Sequence, residues 1–391
     1  MPLRRPALAF AFCALTASTL VALAMAAQTA GFAWNKPAWA PTPNVPADNP
    51  MSAAKVQLGR RLFYDRRLSS DNTMSCATCH QQALAFSDGQ RIHPGVSGDL
   101  GIRNPMTLTN VAYLPSYTWA NPTLTTLEKQ LLIPLFGDHP IEMDMAGHET
   151  ELVATLQHDP RYPAMFQASF PEANGQVSLA TIAKALAAFE RTLLSFNSPY
   201  DRFKHGDANA LSPAAQRGEA LFFGERLECY HCHGGVDFTD NHQQQGQAFP
   251  ETGFHNTGLY NEDGNGAYKP WDHGLRDITL NAADEGAFRT PTLRNIAVTA
   301  PYMHDGSIQT LAEVIRDHYA VQGRAAKSPH GVNPLRSDLI AGFDITPAET
   351  ADLVAFLQSL TDNDFLTNPA FADPALTDPA APKPLAPLAK P

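Results

Sequence analysis

The pentapeptide Cys229-Tyr230-His231-Cys232-His233 reads Cys-x-x-Cys-His. That is the attachment site of a c-type haem: two thiols add across the vinyl groups, and the next histidine is placed to ligate the iron. The chain carries a second copy, Cys76-Ala77-Thr78-Cys79-His80. Two copies, one in each half, predict a two-haem protein in which His80 and His233 are the proximal ligands. Zinc held by two C-x-x-C pairs is the competing use of four cysteines. The histidine directly after each pair favours haem.

The remaining cysteine fits the same account. There are five in the chain, and the fifth, Cys13, lies in an N-terminal segment that reads as an export signal. Arg4 and Arg5 form its charged end, Ala7 to Ala26 its apolar stretch, and Ala24-Met25-Ala26 an A-x-A cleavage site. An uncleaved membrane anchor is the competing reading. The alanine-rich composition and small-residue end predict cleavage before Ala27, export to the periplasm, and no integral membrane span in the mature chain. No thiol is then left over for a disulfide, although that compartment permits one. The 391 residues carry a net charge of -11, which argues against a nucleic-acid partner.

Upstream of each haem motif lies the same helical grammar. Residues 52–64 predict a helix capped by Ser52, with Ala54, Leu58 and Leu62 on one stripe and Val56 and Phe63 on another face. Ser212 to Phe223 predicts its counterpart, with Gly59, Leu62 and Phe63 matching Gly218, Leu221 and Phe222. This is an internal duplication of one haem-binding unit rather than a solenoid, which needs three or more repeats. Further helical patterns run over Leu124 to Pro134, Glu149 to His158, Leu179 to Ser195, Thr310 to Ala320 and Pro347 to Leu360. The stripe of Leu179 to Ser195 is Ile182, Leu186, Phe189 and Leu193. Gln81 to Pro122 and residues 234–290 are loop-rich, which suits chain wrapped around a bound cofactor. The predicted fold is therefore mainly α and loop-rich, with two cytochrome c-like domains that each hold one covalent haem. Their expected boundaries are 51–205 and 206–368. They follow a signal at 1–26 and an extended segment at 27–50, and precede a Pro/Ala-rich, disordered tail at 369–391.

What separates an electron carrier from a peroxide-reacting enzyme is the second axial position on each iron. Here a resemblance helps. The two haem motifs, Arg103-Asn104-Pro105, Thr290-Pro291-Thr292-Leu293-Arg294-Asn295 and Thr299-Ala300-Pro301-Tyr302-Met303-His304-Asp305-Gly306 resemble the bacterial di-haem cytochrome c peroxidase/MauG superfamily from about Pro50 to Asn368. Thr118-Trp119-Ala120-Asn121-Pro122, Pro134 to Glu142, and Phe254 to Asn261 resemble, more narrowly, the MbnH group of methanobactin operons.

The resemblance implies roles residue by residue. Trp119 relays electrons or holes between the haems, although its residue type alone implies a packed core aromatic. Gln130, Pro134 and Glu142 form the distal pocket of the first haem, where Glu142 moves protons during O–O cleavage. A solvated helix-end glutamate is the alternative for Glu142. Asn104, with the carbonyls of Thr299 and Pro301, holds a calcium ion. Conventional peroxidases cap the first haem with a loop histidine. Val96 aligns there and His93 falls three residues earlier, so an open first haem is expected. They cap the second with a methionine, where this chain has Asp317-His318-Tyr319. MauG-like enzymes use tyrosine, which points to Tyr319, whereas a rigid residue count falls on His318, and Met303 is a third candidate. His304 matches a histidine near the second haem. His231 is expected to be exposed, and His242, His255, His273 and His330 to lie on the surface or at a haem edge.

The function so implied is a periplasmic enzyme that takes hydrogen peroxide to a bis-Fe(IV)-type state and oxidises a tryptophan of an MbnP-like partner protein to kynurenine. Two alternatives stand beside it. One is a peroxidase that reduces peroxide to water with electrons from a small redox protein. The other is a non-catalytic di-haem carrier.

Overall fold

The structure, a computed structural model, describes residues 32–376. The signal segment and residues 377–391 fall outside them. Of the described residues, Phe32 to Asn35 belong to a separate unit. In it the rings of Phe32 and Trp34 meet edge-on at 5.0 Å. Everything below belongs to the unit that begins at Lys36.

Four helices frame that unit: α1 (Ala53–Phe63), α2 (Leu179–Glu190), α3 (Pro213–Phe222) and α4 (Pro347–Gln358). Each starts where the sequence supplies a hydroxyl cap. Ser52, Ser178, Ser212 and Thr346 accept from the backbone N–H groups of Lys55, Thr181, Ala215 and Glu349. Pro213 and Pro347 occupy first-turn positions where no N–H is needed.

The duplication seen in the sequence is a duplication of helix crossings. At Gly59 an added Cβ would lie 1.9 Å from the Ala185 carbonyl oxygen and 2.9 Å from the Cβ of Phe189. At Gly218 it would lie 2.0 Å from the Asp352 carbonyl oxygen and 2.8 Å from the Cβ of Phe356. Only glycine permits such approach. In each repeat the glycine lets the helix before the haem motif lie against a later helix, α1 on α2 and α3 on α4.

Two apolar cores result. The first gathers Leu58, Leu62, Phe63, Phe86, Leu186 and Phe189, with Cys76 packed against it. The second gathers Phe222, Phe238, Ile315, Leu353 and Phe356, with Cys229 packed against it. The chain end returns to the first core. Phe365 and Phe371 pack on Phe86 at 5.6 and 6.5 Å between ring centroids. Arg60 and Tyr64 donate to the carbonyls of Pro369, Phe371 and Ala372. The expectation of a disordered tail therefore fails for residues 369–372, because the first core lacks a wall without them.

Three helix expectations also need correction. The pattern over Leu124 to Pro134 starts only at Leu127, capped by Thr126, and breaks at Leu131 into a second turn, Leu132–Phe136. Leu179 to Ser195 stops at Glu190, although Leu193 is buried as its stripe required. Thr310 to Ala320 is not one α-helix. After Leu311–Glu313 it widens into a π turn over Val314–His318 and then tightens into a 3₁₀ turn at Tyr319–Val321.

Candidate haem sites

Both proximal histidines are prepared in the same way. His80 Nδ1 lies 2.8 Å from the Phe86 carbonyl and His233 Nδ1 lies 3.0 Å from the Phe238 carbonyl. A carbonyl only accepts, so Nδ1 carries the proton and Nε2 keeps its lone pair for a metal. Burial lowers the pKa of both imidazoles, which keeps them neutral. Cys76, Cys79, Cys229 and Cys232 are free thiols. Burial raises the pKa of Cys229 to about 12, so it stays protonated.

A large cavity adjoins the second motif, with Cys229, Cys232, His233, Trp119, Met303, His304 and Tyr319 in its wall. Arg289 also lines it. Only 3% of this arginine is exposed, and its guanidinium touches the Thr118 carbonyl and Met106 Sδ but no carboxylate among the described residues. Burial lowers its pKa to about 10. Asp240 acts on it only from a distance, and a buried cation that touches no carboxylate suits an anionic group in the cavity, as haem propionates supply. The thiols, the neutral imidazoles and this arginine together fit a c-type haem.

Trp119 sits where this cavity passes toward the first motif. Its Nε1 donates to the Asn104 carbonyl at 2.8 Å, and its own carbonyl accepts from Arg289 N at 2.7 Å. The cavity wall continues through Asn104 and Pro105 to Met106, whose backbone also contacts the His80 imidazole. The short antiparallel pair β1 (Phe254–Asn256) and β2 (Ala287–Arg289) sets His255 opposite Phe288 and brings both to the cavity.

The three candidates for the second haem's other axial position are placed differently. Tyr319 and Met303 line the cavity. His318 does not: it is fully buried, and its Nδ1 accepts from Arg324 N at 2.9 Å. The π turn before it accounts for the mismatch with a rigid residue count. A π turn takes up one residue more than an α turn, so the side chain reaching the cavity comes one position later. Burial, and then the nearby Cys232 and Cys229, raise the Tyr319 pKa.

Gln130, Pro134 and Glu142 lie apart from this cavity. Pro134 and Leu135 pair with Met143 and Met145 through bonds of 3.0 and 2.8 Å, which sets Glu142 beside Pro134. Burial alone raises the Glu142 pKa. Its carboxylate in turn helps to raise the pKa of Cys79, after burial itself. Val96 N donates to the Glu142 carbonyl at 2.8 Å, so the loop carrying Val96 and His93 lies directly on this segment. His93 Nδ1 bonds the adjacent Pro94 carbonyl at 2.7 Å.

Asn104, Thr299 and Pro301 meet in the cavity wall. Asn104 Nδ2 donates to the carbonyls of Gln90 and Arg91, which leaves Oδ1 as a free acceptor. The donor set is all oxygen, as calcium prefers.

His231 is exposed, as expected. His304 is buried, lines the cavity and stacks on Phe288 at 3.7 Å, and burial lowers its pKa to about 4. His255 joins Asp240 and Cys232 in a cluster whose ligand atoms lie within 4.8 Å. Its Nε2 bonds Asp240 at 2.5 Å. Neither that cluster nor Arg289 carries a spacing signal in the sequence, because tertiary packing sets their partners.

These features define a haem protein with two c-type attachment sites, the cavity at the second of which is walled in part by Trp119. The di-haem cytochrome c peroxidase family matches residues 53–209. The methylamine utilization protein MauG of Methylophilus methylotrophus is 36% identical over 317 residues, which cover 81% of this chain and 84% of that protein. Cytochrome c551 peroxidase of Pseudomonas aeruginosa is 30% identical over 80% of each chain. The crystal structure of a MauG-like protein associated with microbial copper homeostasis superposes with a TM-score of 0.84 and 49% identity, over 88% of this chain and 99% of that one. The chain belongs to the di-haem cytochrome c peroxidase/MauG family. It is thereby a haem-dependent oxidoreductase acting on peroxide, with two haems c. Among the described residues no helix is long and apolar enough to cross a membrane.

Proposed function

We propose that the protein is an exported, periplasmic enzyme that uses hydrogen peroxide to oxidise a tryptophan of a partner protein to kynurenine. Two peroxides balance the change, with formate and one water as the other products. The observation that carries this reading is Tyr319, a phenol in the cavity of the second haem motif. A hard oxygen donor favours ferric and higher iron states over ferrous iron. That suits holding oxidising equivalents for a slow macromolecular substrate. The 49% identity to a MauG-like protein associated with copper homeostasis supports an MbnP-like partner from copper handling.

The haems, when bound, would supply the iron chemistry that gives two electrons to each peroxide and so stores two oxidising equivalents. Glu142 would shuttle the proton between the peroxide oxygens, and Gln130 and Pro134 wall the pocket that peroxide enters. Trp119 carries electrons between the two haem sites. Asn104 Oδ1 and the carbonyls of Thr299 and Pro301 hold calcium beside that path, which stiffens the contact between Asn104 and Trp119.

Peroxide reduction with electrons from a small redox protein is the second reading. Met303, which lines the same cavity, favours it. The deciding experiment adds peroxide to the diferric holoprotein with and without the candidate partner and weighs the partner. A kynurenine-sized mass change supports the proposal. An unchanged partner together with rapid oxidation of reduced cytochrome c sinks it.

A further inference from the structure

Beside the haem cavity lies a second, open cavity of about 1020 Å³, lined by Tyr260 together with Arg91, Arg324, Lys327, Glu313 and Asp317. Tyr260 stands between the two. Its ring meets those of Tyr268 and His304 at 5.7 and 6.5 Å, and His304 stacks on Phe288 at 3.7 Å in the haem-cavity wall. Trp119 packs into the same aromatic cluster.

The hydroxyls of the two tyrosines differ in what they can do. Tyr268 donates to the Asn256 side-chain carbonyl at 3.0 Å, an amide that takes up no proton. Tyr260 donates to the Asp305 carboxylate at 2.5 Å. A phenol that loses an electron becomes a strong acid, so its oxidation needs a base in reach. Lys269 Nζ stands 4.7 Å over the Tyr260 ring and opposes a cationic ring. Electron and proton must therefore leave together, and Asp305 is positioned to receive the proton.

We propose, building on the function above, that Tyr260 is the outer relay through which oxidising equivalents leave the haem centre toward the partner's indole. In each pass Tyr260 gives one electron inward and its phenolic proton to Asp305. The partner's indole then returns an electron to Tyr260 while Asp305 returns the proton. Four passes, driven by two hydrogen peroxides, remove the four electrons that kynurenine formation requires. The indole takes up three waters, two in the oxidation and one in the hydrolysis that frees formate, and the four protons released are consumed as the two peroxides become four waters.

The test needs no partner. Peroxide is added to the diferric holoprotein with a nitroso spin trap, and the adducts are mapped by peptide mass spectrometry. The expected adduct lies on Tyr260 and is lost in Tyr260→Phe. Asp305→Asn keeps the phenol but removes the base, and should lower adduct yield on the order of 100-fold. If the haem spectra respond to peroxide while Tyr260 stays clean and other residues carry the adducts, the relay is wrong and the proposed function survives. Haem spectra that ignore peroxide overturn both. If Asp305→Asn traps at the wild-type yield, the proton-transfer role of Asp305 is wrong, and the relay as proposed falls with it.

Discussion

His318 Nδ1 accepts the backbone N–H of Arg324 at 2.9 Å, and this bond holds the imidazole out of the cavity that its neighbour Tyr319 lines. The two adjacent residues should therefore respond oppositely to substitution. Tyr319→Phe should convert the second haem's spectrum, read by electron paramagnetic resonance of the diferric protein, and shorten the life of the peroxide-oxidised state. His318→Ala should leave that spectrum unchanged while destabilising the fold by about 1–3 kcal/mol, because it strands the Arg324 N–H. A His318→Ala spectrum changed as in Tyr319→Phe would reverse the assignment.

Glu142 has burial as the one cause raising its pKa above the ordinary 4.5. If its carboxylate takes the proton from incoming peroxide, the rate of peroxide reaction should rise with pH through a pKa above that value. Glu142→Gln should slow the reaction on the order of 10²–10⁴-fold and flatten that limb. Stopped-flow absorbance in the haem Soret band measures both.

The glycine crossings predict a matched pair of defects. Gly59→Ala and Gly218→Ala each push a methyl into a carbonyl at 1.9 or 2.0 Å, where the backbone must move. Each should cost about 1–3 kcal/mol or more in denaturant unfolding of the holoprotein. An alanine at either position with unchanged stability would mean that the helices separate at little cost.

Glu190 is 3% exposed, and its Oε2 has no hydrogen-bond partner among the described residues. Burial raises its pKa from 4.5 to about 8, with the Glu128 carboxylate adding to the shift and Arg191 opposing it. Between those values the folded state keeps a proton that the unfolded state has lost. Stability should therefore fall as pH rises from about 4.5 to about 8, by up to about 1.4 kcal/mol per pH unit. Glu190→Gln should remove this slope, so the variant gains on the wild type toward pH 8. Melting temperatures across that range test it.

The haem thiols, both proximal histidines, the duplicated helix-plus-motif unit and the capped starts of α1 and α3 were legible because each is written in one continuous stretch of sequence. Sequence could pair Gly59 with Gly218, yet it could not say what each glycine touches, since Ala185 and Asp352 lie more than a hundred positions away. The choice between His318 and Tyr319 was hidden for a different reason. Val314 to His318 has the composition of an ordinary helix, and nothing local announces a π turn. Arg289, His255 with Asp240, and Tyr260 with Asp305 went unseen because their partners are set by tertiary packing and not by any local pattern. Thr310 to Ala320 and the ordered residues 369–372 show the same limit, in that burial against distant chain overrides local pattern.

The return of Phe365 and Phe371 to Phe86 ties the last part of the described chain to one of the first. The duplicated halves are thus no longer separable cassettes. Cutting between them would leave the earlier half with an open flank where Phe86 faces water. A gene fusion or truncation that kept only Cys76 to Ser195 would lose its closing clasp, and the earlier attachment site is finished only when the far end of the polypeptide arrives.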